Sequence, residues 1–138
     1  MIRAAIAIYA LLALSQARSH HHPNAEQLTG NDRIREFSMR DTALTRETKK
    51  AKLVISRGRR FDAFTAGEDT LLFVTDHRTG RTRVIRGLPF SWRPFSNLTW
   101  ADSRTLMFDR WSSPRVGMHY AVDVIDGKLI AALSFHET

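Results

Sequence analysis

Four groups of residues in this chain are of types, and at spacings, that could do chemistry. His20, His21 and His22 form the metal candidate. If the chain is cleaved after Ala17, it begins Arg18-Ser19-His20. A free amine, two deprotonated amides and an imidazole at the third position then make a square-planar set suited to Cu(II) or Ni(II), with His21 and His22 as loose further ligands. The same tract also reads as an incidental histidine run beside a cleavage point, with no cofactor. Asp76-His77 and Asp109 are the acid/base candidates. They could share a reaction only if His77 and Asp109 converge in one cleft. Trp92, Trp100 and Trp111 crowd together with Phe90, Phe95 and Phe108, interleaved with Arg93, Arg104 and Arg110. Such a set could stack on a glycan or peptide, or could be the core between two sheets. Trp92 and Arg93, in the loop from Pro89 to Pro94, are the pair expected at the surface. Arg57, Arg59 and Arg60, in Ser56-Arg57-Gly58-Arg59-Arg60, form the one dense basic cluster and would attract an anionic surface.

Several enzyme classes are excluded by what these 138 residues lack. There is no phosphate-binding loop, dinucleotide glycine fingerprint, His-Glu-x-x-His zinc helix or Gly-x-Ser-x-Gly elbow. With no cysteine, disulfides, thiolate metal sites and a cysteine nucleophile are impossible. Asn97-Leu98-Thr99 matches a glycosylation sequon, but it falls in an expected strand and is read as coincidence.

The elements that must position these groups divide the chain into three. Residues 1–17 carry one positive charge, the apolar run Ala4 to Leu14 and small residues at Ser15 and Ala17, the layout of a secretory signal peptide. The run is too short to span a bilayer as a helix. Export to the periplasm or outside the cell is therefore expected. Residues 18–50 read as a basic arm, irregular or partly helical, whose apolar positions make no clean stripe. Charge is uneven: residues 18–60 hold eleven bases and five acids, whereas 61–138 hold nine of each. The arm would give weak, salt-sensitive adhesion to an anionic envelope surface, or act only as a solvated tail. Nucleic acid is disfavoured as a partner if the chain is exported.

From residue 51 onward short apolar runs alternate with turn residues every eight to twelve positions, the texture of an all-β antiparallel meander. Eight strands are expected: 52–56, 61–65, 70–75, 81–86, 95–100, 105–110, 118–125 and 128–135. Asp126-Gly127 should supply the two left-handed residues of a tight type I′ turn between the last two. Two segments repeat at an offset of 35, Thr70-Leu71-Leu72-Phe73 and Thr105-Leu106-Met107-Phe108, each behind a polar loop. Lys52-Leu53-Val54-Ile55 likewise parallels Lys128-Leu129-Ile130-Ala131. A period of this order with about four strands per unit is that of propeller blades.

Trp100-Ala101-Asp102-Ser103-Arg104-Thr105-Leu106-Met107-Phe108 resembles the repeat of TolB-type, WD40-like β-propellers. That repeat runs Trp-Ser-Pro-Asp-Gly-Lys/Arg, one variable residue, two aliphatics and an aromatic. Trp100, Asp102, Arg104, Leu106, Met107 and Phe108 fit it; the proline is missing and Ser103 replaces the glycine. In the earlier copy Thr65 stands where the tryptophan would be. The resemblance implies two propeller-like blades in an exported chain, working as a protein-binding scaffold. In peptidase relatives such blades gate a catalytic serine held in a separate domain. A closed propeller needs four to eight blades, so two must close as a sandwich, or be covered by a partner or further copies, or be a fragment of something longer. The reading is of an exported, noncatalytic binding or scaffold protein. Its alternatives are a small envelope enzyme or metal-handling protein using the N-terminal histidines, and a truncated propeller fragment without independent function.

Overall fold

The computed structural model describes residues 36–88 and 94–137. The protein is all-β, with nine antiparallel strands: β1 (Ser38–Thr42), β2 (Ala51–Ile55), β3 (Phe61–Ala66), β4 (Leu71–Asp76), β5 (Arg81–Arg86), β6 (Phe95–Trp100), β7 (Thr105–Trp111), β8 (Val116–Asp123) and β9 (Lys128–His136). They form a five-stranded sheet in the order β1-β5-β4-β3-β2 and a four-stranded sheet in the order β6-β7-β8-β9. The eight expected strands all appear. β1 is an addition and a correction, because it lies in the segment expected to be an irregular or partly helical arm. It pairs antiparallel with β5, Ser38 opposite Arg86 through Thr42 opposite Thr82. β1 and β2 are opposite edges of one sheet, so residues 43–50 cross that sheet's outer face. Leu44 packs there on Phe64, Ala66, Phe73 and Val84, and Lys50 Nζ lies 4.7 Å from the Phe64 ring centroid. A strand that is apolar on both faces, such as Leu72-Phe73-Val74, is thereby buried on both.

The main core lies between the sheets. Phe61, Leu72, Val74 and Ile85 come from the first, and Phe95, Leu106, Phe108, Tyr120 and Val122 from the second. Burial pushes the Tyr120 phenol up to about 12. The sheets also join through polar contacts. Trp100 stacks on Phe61 with centroids 5.9 Å apart and donates its indole N–H to the Val54 carbonyl at 3.1 Å. Phe95 N donates to the Asp69 carbonyl at 2.8 Å, and Lys52 Nζ donates to the Phe95 carbonyl at 3.0 Å. The Arg83 guanidinium, its pKa lowered first by burial and then by Arg81, donates to the Val124 carbonyl.

The two sheets repeat one another, but not at the offset of 35. That offset equates β4, third strand of its unit, with β7, second of its own. Lys52-Leu53-Val54-Ile55 and Lys128-Leu129-Ile130-Ala131 likewise fall on a first and a fourth strand. The structural repeat sets β2–β5 on β6–β9, and its shared features lie in turns and bulges. Asp76 and Asp123 end the third strands; Gly80 and Gly127, both at positive φ, donate N–H to the Asp76 and Asp123 carbonyls at 2.8 Å in each case. The Asp76 carboxylate accepts from Arg78 N at 2.9 Å, and that of Asp123 from Ile125 N at 2.9 Å and Asp126 N at 3.1 Å. The expected tight turn at Asp126-Gly127 is thus a longer one in which only Gly127 is left-handed, at φ +66°. The Asp123 side chain satisfies the amides that a type I′ turn would have left to strand pairing. Each first strand also carries a bulge with a left-handed residue, Lys52 at φ 52° and Asn97 at φ 53°.

Candidate functional site

Successive antiparallel strands bring the β2–β3, β4–β5, β6–β7 and β8–β9 turns to one end of the molecule. The polar side chains of that end are held in pairs. Arg60 donates Nε and Nη2 to the two Asp76 oxygens at 3.1 and 3.0 Å. At the equivalent place in the second sheet, Arg104 donates to Asp123 at 3.2 and 2.6 Å and also reaches Asp126 at 3.2 Å. Such two-pronged pairs fix a guanidinium in the plane of the carboxylate. The Arg60 bond holds the Asp76 carboxyl below its ordinary value and raises Arg60 in turn. At Asp123 burial pushes upward, but the Arg104 bond and two backbone N–H groups outweigh it and the value is lowered. Arg81 pairs with Asp41 and His77 with Asp62, the latter at 2.9 Å. Asp102 accepts from Arg104 N at 2.9 Å and Thr105 N at 2.7 Å, which gives the acidic residue of the Trp100–Phe108 segment its physical role as a turn cap. Around these pairs Arg57, Arg59 and Arg78 are exposed and have no ion-pair partner among the described residues. Arg59 is held outward at φ 61°, beside Gly58 at φ 82°, in a turn closed by Arg59 N donating to the Ser56 carbonyl.

A second constellation lies on the face of the four-stranded sheet that points away from the main core. Asp109 is buried, 3% exposed. It accepts from Asn97 Nδ2 at 2.7 Å and meets His119 Nδ1 at 2.5 Å. Asp109 and His119 are cross-strand partners in the β7–β8 register. The His119 ring stacks on Phe135 at 4.2 Å, and Trp111 meets Phe135 edge-on at 4.7 Å. Gly117 permits this, since a Cβ there would stand 2.4 Å from Phe135 Cζ. A carboxylate so placed fixes the orientation of the imidazole, as in acid/base and metal sites. Among the described residues, however, no group of three or more His, Asp and Glu side chains is placed to hold a metal ion.

The residues expected to carry function fare differently. Arg57, Arg59 and Arg60 fall together in the β2–β3 turn, with Arg60 locked to Asp76 and the other two exposed. Asp76 and His77, adjacent in sequence, serve different partners, Arg60 and Asp62. His77 and Asp109 belong to different sheets and do not form one acid/base pair. Phe95 and Phe108 are core, and Trp100 is half-buried against it. Asn97 gives its amide to Asp109. Residues 1–17, His20, His21, His22, Trp92 and Arg93 lie outside the described residues. The Asp109–His119–Asn97 cluster escaped sequence reading, although its signal was present in the alternation of β7 and β8, which puts both residues on the same face. An open groove of ≈ 530 Å³ between residues 45–51 and the β3–β4 turn is rimmed by Glu47, Lys49 and Glu68. It contains none of the expected site residues. Among the described residues no helix is long and apolar enough to cross a membrane.

No family model matches the chain, and no curated protein matches it in sequence. In fold it is similar to a solved structure from Clostridium novyi NT, described as a "putative conserved lipoprotein". The TM-score is 0.51 at 15% identity, over 75% of this chain and 71% of that one. The likeness is one of fold.

Proposed function

We propose that the protein is an exported, noncatalytic binding protein made of two TolB-like blades, and that its turn end takes an anionic envelope partner. The observation that carries this reading is the set Arg57, Arg59 and Arg78, left without ion-pair partners among the described residues while Asp41, Asp62, Asp76 and Asp123 are occupied. Unneutralised guanidinium groups on locked turns form a preorganised basic surface, where carboxylates free to swing would have quenched it. Export rests on the signal-peptide layout of residues 1–17 and has support from the lipoprotein description of the Clostridium novyi structure.

The test is retention of the full chain on vesicles containing anionic lipid, against neutral vesicles, across a salt series. Each basic residue near such a surface contributes about 1 kcal/mol, so R57Q/R59Q/R78Q should weaken retention by about a hundredfold. Added salt should do the same to the native protein. Retention that is equal for the triple variant and the native chain would sink the proposal. Residues 18–50 stay in place in this test, because deleting them would remove β1 from its sheet.

A further inference from the structure

The internal repeat makes β5 and β9 equivalent, each the fourth strand of its unit and each entered through an Asp-x-x-x-Gly turn. Their outer edges differ. The edge of β5 is covered by β1 along five residues, antiparallel. Among the described residues β9 has β8 on one side and no strand on the other. We infer that the free edge of β9 pairs with β9 of a second copy of this chain, antiparallel across a two-fold axis, and makes one continuous sheet through the dimer. The inference rests on the reading of the chain as a binding protein whose open sheet edges are covered.

Three observations favour a second copy. The other three edges are guarded. β1 presents Arg40 and Asp41, while β2 and β6 carry bulges at Lys52 and Asn97 and lie together where the sheets join. Charges and bulges are the usual means of keeping an edge from pairing. β9 has its bulge at its beginning, around Ile130, and then runs in unbroken register from Ala131 to His136 against β8. That stretch, Ala131-Ala132-Leu133-Ser134-Phe135-His136, holds no acidic residue, lysine, arginine or proline. Laid against itself it sets no acidic residue, lysine or arginine opposite another, and a two-fold axis makes the pairing antiparallel, as β1 on β5 already is. A partner strand rich in charge would find no acidic residue, lysine or arginine on residues 131–136 to pair with.

The full chain should be a dimer at micromolar concentration in sedimentation. The amides of residues 131–136 should gain exchange protection as concentration rises. Ile130 is 40% exposed and Ser134 is exposed, so I130K/S134K can blunt the edge while the fold stands, which circular dichroism and the melting temperature check. The variant should raise the dimer dissociation constant at least tenfold and still bind anionic vesicles through Arg57, Arg59 and Arg78. A native chain that is monomeric at 100-fold higher concentration, on the order of the weakest pairing of interest, overturns the inference. So does a dimer that survives the variant unchanged, or protection at 131–136 that ignores concentration. Loss of vesicle binding in R57Q/R59Q/R78Q with the dimer intact would separate the two sites.

Discussion

At the scale of single residues, the repeated aspartates bear most weight. Asp76 and Asp123 each take a two-pronged bond from an arginine and cap their own turn, so one carboxylate organises three chain segments. Both are held below the ordinary value of 3.8, at which the unfolded chain would release its proton. A group whose folded value is depressed adds stability that is fully present above its unfolded value and is lost as pH falls through the folded one. The contribution of the two should therefore be constant near neutrality and disappear in the window below pH 3.8. Replacing both, D76N/D123N, should lower the melting temperature near neutral pH. The gap to the native protein should narrow as acid protonates the native carboxylates. Melting curves at several pH values check this, and a gap as wide in acid as at neutrality would refute it. Asp109 needs no arginine, because Asn97 and His119 meet its oxygens. None of these partnerships is adjacent in sequence, which is why Asp76-His77 looked like a pair and was not one.

At the scale of elements, the strands that sequence patterning could read are those with an apolar face of their own. β8 alternates apolar residues with small or polar ones over its eight residues, β9 opens on an apolar run, and the turn residues around both bound them, so their pattern specifies them. β1 is different. Ser38-Met39-Arg40-Asp41-Thr42 has one apolar residue, and its strand conformation comes from the vacant edge of β5. Tertiary pairing here overrides local propensity. The offset of the repeat was misread for a related reason: Thr-Leu-Leu-Phe and Thr-Leu-Met-Phe share the composition of any buried strand, whereas turn chemistry and bulges mark equivalent positions. Gly87 shows how closely β1 is held. It follows β5 at φ +80°, and a Cβ there would lie 2.0 Å from the Glu36 carbonyl oxygen, at the approach to β1. Gly87→Ala must move that backbone as well as strain its own, at a cost of about 1–3 kcal/mol. The loss should be local, with faster amide exchange in β1 and little change in β7 and β8. Uniform acceleration across both sheets would show that β1 is not separately docked.

At the scale of the molecule, the question is whether the five-stranded and four-stranded sheets behave as two units or one. Each alone is a twisted sheet with one face in need of cover, and the main core is made from both. Cutting between β5 and β6 would expose Phe61, Leu72 and Val74 on one piece and Phe95, Leu106 and Phe108 on the other, residues now almost wholly buried. Each fully buried side chain of this kind contributes about 1.5–3 kcal/mol, so neither piece keeps enough to offset its chain entropy. The pair should unfold as one cooperative transition. Trp100 is the sharpest probe of that coupling, because it stacks on Phe61 and donates to the Val54 carbonyl, both across the junction. Trp100→Phe keeps a ring and loses the hydrogen bond, for about 1 kcal/mol. Trp100→Ala loses both, for about 3–5 kcal/mol, a large part of the stability of a domain this size. In denaturant, exchange-resistant amides of β3 and β4 and those of β7 and β8 should lose protection at the same midpoint in the native chain. In Trp100→Ala the two should move down together. If β7 and β8 kept the native midpoint while β3 and β4 fell, the sheets would be independent units joined by a weak seam, and the shared core would not be what holds this short chain together.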